Sequence, residues 1–365
     1  MIVLIDNAIV ANSIFYAILI FALLISLRPR RDKELFPVSV SSELKGLAIL
    51  TIIFVHVAYA LVSDNRFLLP LSNMSGLGVN LFLLLSGYGI MVSSLRRDSS
   101  ILQFYKHRLL KLYSPFWLTL VAFFFLDIVF LKINYSWTYI AQSVLGFFNH
   151  ADLYSDINSP LWYFTLIIFY YLIFPWLLIK KAPWLSAILI YIGSFLILKF
   201  QPGFLDYVAH LYRLHLVAFP LGMLLAYFLN QKGLAEKLTL TLQKIRSKKY
   251  PIVYAATCSF LLAVLIYSLV NSGVGEKPLV EELVSAISAL ALIGLFILKR
   301  FEIKTLYWLG FFSYEIYLLH WPIMYRYDFL FKYLPVWLAL ALYFFVFIGL
   351  AWLMQKLLNK SGKKA

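Results

Sequence analysis

The sequence predicts an all-α protein, a polytopic transmembrane bundle of about 11 helices. The first observation behind this prediction is composition, since 62% of the 365 residues are hydrophobic and only 13% are charged. So much apolar surface cannot be buried inside a soluble core. The second is the presence of apolar stretches long enough to cross a bilayer. The third is the uneven distribution of lysine and arginine between alternate loops.

Eleven apolar stretches approach the length of about 20 residues that a transmembrane helix needs. They cover residues 7–27, 44–62, 76–95, 114–131, 161–179, 184–198, 211–229, 251–270, 279–298, 305–324 and 334–355, and the sixth is the shortest. The first stretch is expected to remain as an anchor. Residues 1–6 contain no lysine or arginine, and the basic cluster follows the apolar run, unlike in a cleavable signal.

Basic residues dominate the charge, with 32 lysines and arginines against 17 aspartates and glutamates and a formal net charge of +15. The excess follows the positive-inside rule, so it indicates topology rather than a nucleic-acid partner. If alternate loops lie on opposite sides, only seven basic residues fall outside: Arg66, Lys132, Lys199, Arg213, Lys277, Arg326 and Lys332. The sequence therefore predicts an integral membrane protein surrounded by lipids, with its N-terminus outside and its C-terminus in the cytoplasm.

The single cysteine, Cys258, excludes an intramolecular disulfide and a cysteine-based metal cluster. The longest connections between predicted spans, residues 132–160 and 230–250, are too short for a soluble domain. Neither a metal site nor a nucleic-acid partner is predicted.

Lys45 and His56 are titratable side chains inside the second apolar stretch. Such a group is costly at membrane depth, so function is its default interpretation. Eleven residues make about three helical turns, which places both side chains on one face, about 16 Å apart along the axis. His56 would lie about 18 Å from the start of the stretch, just beyond the bilayer midplane. The alternative is a histidine hydrogen-bonded inside the bundle and a lysine extended towards the headgroups.

His320 lies in the tenth stretch at a similar expected depth, about 22 Å from its start. Ser313, Tyr317 and His320 are four and three residues apart, so they form one polar stripe on a helix. A packing seam of small and aromatic residues would explain the same pattern.

Arg108 and Lys111 precede the fourth stretch on the cytoplasmic side and share one helical face. Paired cations at a membrane mouth suit the phosphates of a nucleotide-bearing donor. They suit anionic lipid headgroups as well. Asn80, in the third stretch, is a buried amide that needs hydrogen-bond partners and could orient a histidine.

Five segments with characteristic residues follow one another along the chain. They are Leu44-Lys45-Gly46-Leu47-Ala48-Ile49 with His56, Gly78-Val79-Asn80-Leu81-Phe82 with Ser86-Gly87-Tyr88, Arg108-Leu109-Leu110-Lys111 with Pro115, Pro160-Leu161-Trp162-Tyr163 with Tyr171 and Pro175, and Ser313-Tyr314 with Tyr317 and His320. In this order they resemble acyltransferase family 3, a family of integral membrane O-acyltransferases. The resemblance covers residues 41–355 and ten helices. Residues 1–40 would then be an added anchor helix with a basic loop, and residues 41–365 the acyltransferase-like transmembrane domain.

The resemblance implies transfer of an acyl group, usually acetyl, from cytoplasmic acyl-coenzyme A to a hydroxyl of an extracytoplasmic or lipid-linked glycan. It implies a bacterial inner or plasma membrane, acetyl-CoA as donor and no metal. Lys45 and His56 match the family's basic residue and catalytic histidine, and Arg108 and Lys111 match its paired basic residues. His56 would be the general base, with His320 as acid, oxyanion donor or orienting partner. A covalent relay through Ser313, Tyr317 or His56 stays open beside direct transfer.

Three departures from the family pattern concern the site. Lys45 and Lys111 replace arginine, Asn80 replaces a frequent aspartate, and residues 165–168 lack a common glutamate. Two other functions therefore stay open. One is a transporter or flippase of a lipid-linked glycan, because such a path would also bury histidines and arginines. The other is a structural or regulatory membrane protein with a degenerate acyltransferase site.

Overall fold

A computed structural model of the chain describes residues 2–30, 32, 34–148, 157, 159–200, 203–205, 208–271 and 278–362. The fold is nearly all-α, which confirms the predicted class. The helices are α1 Ala8–Ile25, α2 Val38–His56, α3 Ser75–Arg96, α4 Ile101–Leu126, α5 Trp137–Leu145, α6 Trp162–Leu177, α7 Pro183–Phe200, α8 Ala209–Arg213, α9 Ala218–Asn230, α10 Lys232–Arg246, α11 Pro251–Val270, α12 Pro278–Leu298, α13 Lys304–Phe311, α14 Ser313–Trp321 and α15 Val336–Gly362. Lys277, used in the charge argument, lies outside the described residues.

Among the described residues, nine helical segments are long and apolar enough to cross a membrane. They are Ala8–Ile25, Val38–Leu61, Leu71–Arg96, Ile101–Leu131, Pro183–Phe200, Ala209–Asn230, Pro251–Val270, Val280–Leu298 and Val336–Asn359. α6 is apolar but shorter. α13 and α14 divide the tenth predicted span at Phe312.

Two predicted spans have different bounds in the structure, and two connections contain helices. α2 begins at Val38, so His56 lies about 27 Å along the helix axis from its first residue and ends the helix, rather than standing near its middle. α4 begins at Ile101, because Ser100 and Gln103 form a capping box, and Arg108 and Lys111 therefore lie inside this helix. α5 lies within the connection of residues 132–160, and α10 lies within the connection of residues 230–250.

Short π-helical turns follow α2 and α14, the helices that carry His56 and His320. Val57–Leu61 follows His56, and Pro322–Arg326 follows α14, which carries His320 in its last turn. A third such turn, Asp127–Leu131, ends α4. Single π-turns inside helices often mark functional sites.

Glycine allows α2 and α13 to pack with their backbones in contact. A Cβ atom at Gly310 would lie 1.6 Å from the carbonyl oxygen of Ser42, and one at Gly46 would lie 2.0 Å from that of Leu306. α3 and α9 approach each other in the same way, since a Cβ atom at Gly222 would lie 1.9 Å from the carbonyl oxygen of Leu84. Small residues at such positions are typical of close helix packing in membranes.

Contacts between loops and helix ends lie at two opposite ends of the bundle, and the first end contains a short two-stranded sheet. Strands β1 Leu27–Pro29 and β2 Phe301–Ile303 pair antiparallel beside the Glu43–Lys299 ion pair. The charge argument places these loops on one side. Which side faces the cytoplasm stays a prediction.

The other end holds a buried carboxylate, Asp127, which pairs with Arg326 and accepts hydrogen bonds from Tyr135 and Tyr327. Burial raises the pKa of the Tyr135 hydroxyl, and the hydrogen bond to Asp127 raises it further. Tyr135 therefore stays protonated and donates to the carboxylate. The cluster fixes the end of α4 to the π-turn that follows His320.

Candidate active site

A cavity of about 1990 Å³ lies between the helices of the bundle. Lys45, His56, Arg108 and Lys111 line it, as does Asn80. His320 is fully buried and contacts His56. The structure thus brings together the five residues that the sequence singled out as a candidate site.

His56 and His320 form a hydrogen-bonded pair. His56 Nδ1 lies 2.9 Å from His320 Nε2, and the two ring planes are only 13° apart. Trp321 packs edge-on against His56, with ring centroids 5.5 Å apart. α2 and α14 each end at this point, so the glycine-mediated contact between α2 and α13 determines where the two imidazoles meet.

Backbone carbonyl groups assign the protons of this pair. His320 Nδ1 lies 2.9 Å from the carbonyl oxygen of Tyr317 and 3.2 Å from that of Ile316, so this nitrogen must carry the hydrogen. In a neutral His320 ring, Nε2 is then an acceptor, and His56 Nδ1–H donates to it. His56 keeps its free lone pair on Nε2, which has no hydrogen-bond partner among the described residues. This arrangement is suited to accepting a proton from a ligand.

Three cations occupy another part of the cavity. Lys45 forms no hydrogen bond or ion pair with any described residue, and its ammonium group experiences the charges of Lys111 and Arg108. Arg108 donates to Ser93 Oγ on α3. Glu315, which accepts a hydrogen bond of 2.9 Å from Gln355, adds a carboxylate nearby. A half-buried, unpaired cation next to two others is a site for an anion.

Ser313, Tyr317 and His320 all belong to α14, but the two hydroxyl groups bond to backbone carbonyl groups rather than to the histidine. The hydroxyl of Ser313 donates to the carbonyl oxygen of Gly310 at 2.9 Å, and that of Tyr317 donates to the carbonyl oxygen of Pro160 at 2.6 Å. Within the expected stripe, the one hydrogen bond is between His320 Nδ1 and the backbone of Tyr317.

Asn80 orients a histidine that the sequence analysis did not single out. Its Oδ1 atom accepts from His215 Nδ1 at 2.7 Å, and its amide nitrogen donates to Ser285. His215, Glu281 and Glu315 all line the cavity. Each lies inside a predicted span, so the rule that identified His56, a titratable group at membrane depth, would have identified all three.

Comparison with known proteins gives one match. A family model described as an acyltransferase domain matches residues 44–356. The chain belongs to acyltransferase family 3. No curated protein and no solved structure matches it. The match confirms the resemblance seen in the sequence, and this family member is a membrane acyltransferase whose His56 and cation cluster line one cavity. Within the described residues, no group of three or more His, Cys, Asp or Glu side chains is arranged to hold a metal ion.

Proposed function

We propose that the protein transfers an acyl group, acetyl in the simplest case, from cytoplasmic acyl-coenzyme A to a hydroxyl of an extracytoplasmic or lipid-linked glycan. The main support is that one cavity contains three cations and the free Nε2 atom of His56. In this proposal the protein lies in a bacterial inner or plasma membrane, with its N-terminus outside and its C-terminus in the cytoplasm. Residues 1–40 form an anchor and residues 41–365 the catalytic domain.

The cation cluster would bind the phosphates of the donor. Coenzyme A carries a diphosphate and a separate 3′-phosphate, and Arg108, Lys111 and Lys45 offer charge-assisted hydrogen bonds to them. Lys45 stands eleven residues before His56 on α2, about 16 Å along the helix axis. The pantetheine arm would cover this distance and carry the thioester from the cations to the histidine pair.

His56 would act as the general base. Its Nε2 atom takes the proton of the acceptor hydroxyl while the hydroxyl oxygen bonds to the thioester carbonyl carbon. The carbon–sulfur bond then breaks, and the imidazolium returns the proton to the departing coenzyme A sulfur. His320 Nε2 accepts from His56 Nδ1–H throughout, which keeps the base lone pair on Nε2 and stabilises the imidazolium. His320 is thus an orienting partner.

Hydrogen bonding favours direct transfer over a covalent relay through a hydroxyl. An attacking serine or tyrosine needs a base within hydrogen-bond distance of its oxygen. Ser313 and Tyr317 instead donate to backbone carbonyl groups. The Nε2 lone pair of His56, by contrast, lies free in the cavity wall.

Coenzyme A release from purified protein in proteoliposomes tests the proposal. The liposomes receive acetyl-CoA and a panel of methyl glycosides, and mass spectrometry detects acetylated glycoside. We expect release that increases with a glycoside and is lost in His56→Ala. Glycoside movement across the membrane without coenzyme A release would indicate a transporter instead. Absence of both release and coenzyme A binding would indicate a degenerate site.

A further inference from the structure

The group formed by His215, Asn80 and Ser285 joins three helices or helix ends in the cavity wall. His215 precedes α9, Asn80 belongs to α3 and Ser285 to α12. Trp162 of α6 packs against the His215 ring, with centroids 5.8 Å apart and planes 19° apart. The imidazole is therefore fixed on one face and at one nitrogen.

The free nitrogen of His215 is an unused acceptor. Asn80 Oδ1 can only accept, so His215 Nδ1 carries the hydrogen and Nε2 of the neutral ring bears the lone pair. Nε2 has no hydrogen-bond partner among the residues the structure describes, although only 5% of the residue surface is exposed and the residue lines the cavity. An acceptor in the cavity wall without a protein partner is available to a donor group of a ligand that enters the cavity.

Helix contacts place this group between the cation cluster and His56. Gly78 of α3 packs on Ala48 and Thr51 of α2, and Tyr59, just after α2, donates to Asn73, just before α3, so the two helices run antiparallel. Asn80 lies two residues from this contact. Ser93, the partner of Arg108, lies thirteen residues further along α3, about 20 Å away.

His56 lies in the opposite direction, eight residues beyond Ala48 and about 12 Å along α2. A donor with its phosphates at the cations and its thioester at His56 therefore passes the level of His215. The part of the donor at that level is the pantetheine arm. Each of its two amide N–H groups leaves water on entering the cavity and needs an acceptor.

We propose that His215, held by Asn80 and Trp162, is a positioning residue that accepts a hydrogen bond from an amide N–H of the pantetheine arm. This inference rests on the proposed function. It gives Asn80 a role, namely fixing the His215 tautomer so that the acceptor nitrogen faces the donor. A neutral amide partner is sufficient, because His215 binds without exchanging a proton.

Two ligands distinguish binding through the pantetheine arm from binding through the phosphates. Coenzyme A carries both, whereas 3′-phospho-ADP carries the phosphates without the arm. Binding of each is measured by isothermal titration calorimetry in detergent. We expect wild-type protein to bind coenzyme A more tightly than 3′-phospho-ADP. Loss of one hydrogen bond to a buried amide should weaken coenzyme A binding about tenfold in His215→Ala and leave 3′-phospho-ADP unchanged.

Two more variants and a control refine the test. His215→Phe keeps a ring against Trp162 and should lose affinity like alanine, whereas His215→Gln offers an acceptor oxygen and should recover most of it. His210→Ala changes an exposed histidine that does not line the cavity and should match wild type. Melting temperatures identify variants that do not fold.

The results separate a failure of the pantetheine contact from a failure of the proposed function. Equal wild-type affinity for the two ligands would overturn the inference without any variant. So would a His215→Phe variant that weakens both ligands equally, because a purely structural histidine predicts that pattern. If wild-type protein binds neither ligand, the proposed function itself fails. If coenzyme A binds and His215 variants bind it like wild type, only the pantetheine contact is refuted.

Discussion

Two histidines of the cavity wall, His56 and His215, make similar hydrogen bonds to different kinds of partner. Each donates from Nδ1 to a neutral acceptor and keeps Nε2 free. The acceptor for His56 is a second imidazole, that of His320 on α14, which can itself exchange a proton. The acceptor for His215 is the amide oxygen of Asn80 on α3, which cannot.

The difference separates two roles that the same side chain can play. A histidine that donates to a second imidazole is suited to take up a proton during a reaction, because the second ring orients it and stabilises the imidazolium. A histidine that donates to an amide oxygen is held in one tautomer and is suited to accept a hydrogen bond at its other nitrogen. The surroundings of a membrane histidine therefore say more about its role than its depth does.

The largest expected effect is at His56. His56→Ala and His56→Gln should both lower the rate of acyl transfer by about 10² to 10⁴, because neither residue can act as a base. Coenzyme A release measures the rate, and membrane insertion should survive. The variants His56→Gln and His215→Gln together test whether the two histidines have different roles. Glutamine should restore coenzyme A binding at position 215 but should not restore the rate at position 56. An active His56→Gln would make His56 a hydrogen-bonding histidine like His215.

The sequence was sufficient for the fold class, and it singled out five candidate residues that the structure brings together, because burying a titratable group in an apolar span is costly enough to be visible in one chain. Sequence could not show which groups pair. The His56–His320 contact depends on the close backbone approach at Gly46 and Gly310. A glycine in a helix does not show in the sequence which other helix packs against it. The same limit applies to Asn80, whose partner His215 is far away in the sequence.

Arg108 and Lys111 should affect binding rather than chemistry. Arg108→Ala and Lys111→Ala should each weaken coenzyme A and 3′-phospho-ADP together, by about 1.5 to 3 kcal/mol, because charge-assisted bonds to phosphate are lost. Lys111→Arg should be tolerated. Titration calorimetry measures both ligands, and the parallel loss would contrast with the selective loss expected at His215. Unchanged affinities in both alanine variants would indicate that Arg108 and Lys111 contribute to membrane topology and not to donor binding.

Gly310 tests the backbone contact that brings the histidine pair together. Gly310→Ala would place a Cβ atom 1.6 Å from the Ser42 carbonyl oxygen, and the strain should cost about 1 to 3 kcal/mol of stability. Gly349→Ala on α15 is the matched control, since a Cβ atom there would meet nothing within 4 Å. Melting temperatures in detergent should fall for the first variant alone. Equal melting temperatures would mean that α13 can shift away from α2 without cost.

The smallest effect is expected for His320→Gln, and it decides whether His320 only orients His56 or exchanges a proton itself. If His320 only orients His56, His320→Gln still offers an acceptor to His56 Nδ1–H and should keep the rate within about tenfold of wild type. His320→Leu removes the acceptor, so the His56 proton can move to Nε2 and occupy the lone pair that the reaction needs.

A loss of about 10- to 100-fold is then expected for leucine, as for the outer partners of histidines in metal sites. Coenzyme A release gives the rate, and coenzyme A affinity should stay unchanged in both variants. If glutamine is as inactive as leucine while both variants bind coenzyme A, His320 takes part in proton transfer itself. The His56–His320 pair would then contain two groups that exchange protons during the reaction. The His215–Asn80 pair would contain none, because Asn80 only holds its histidine in place.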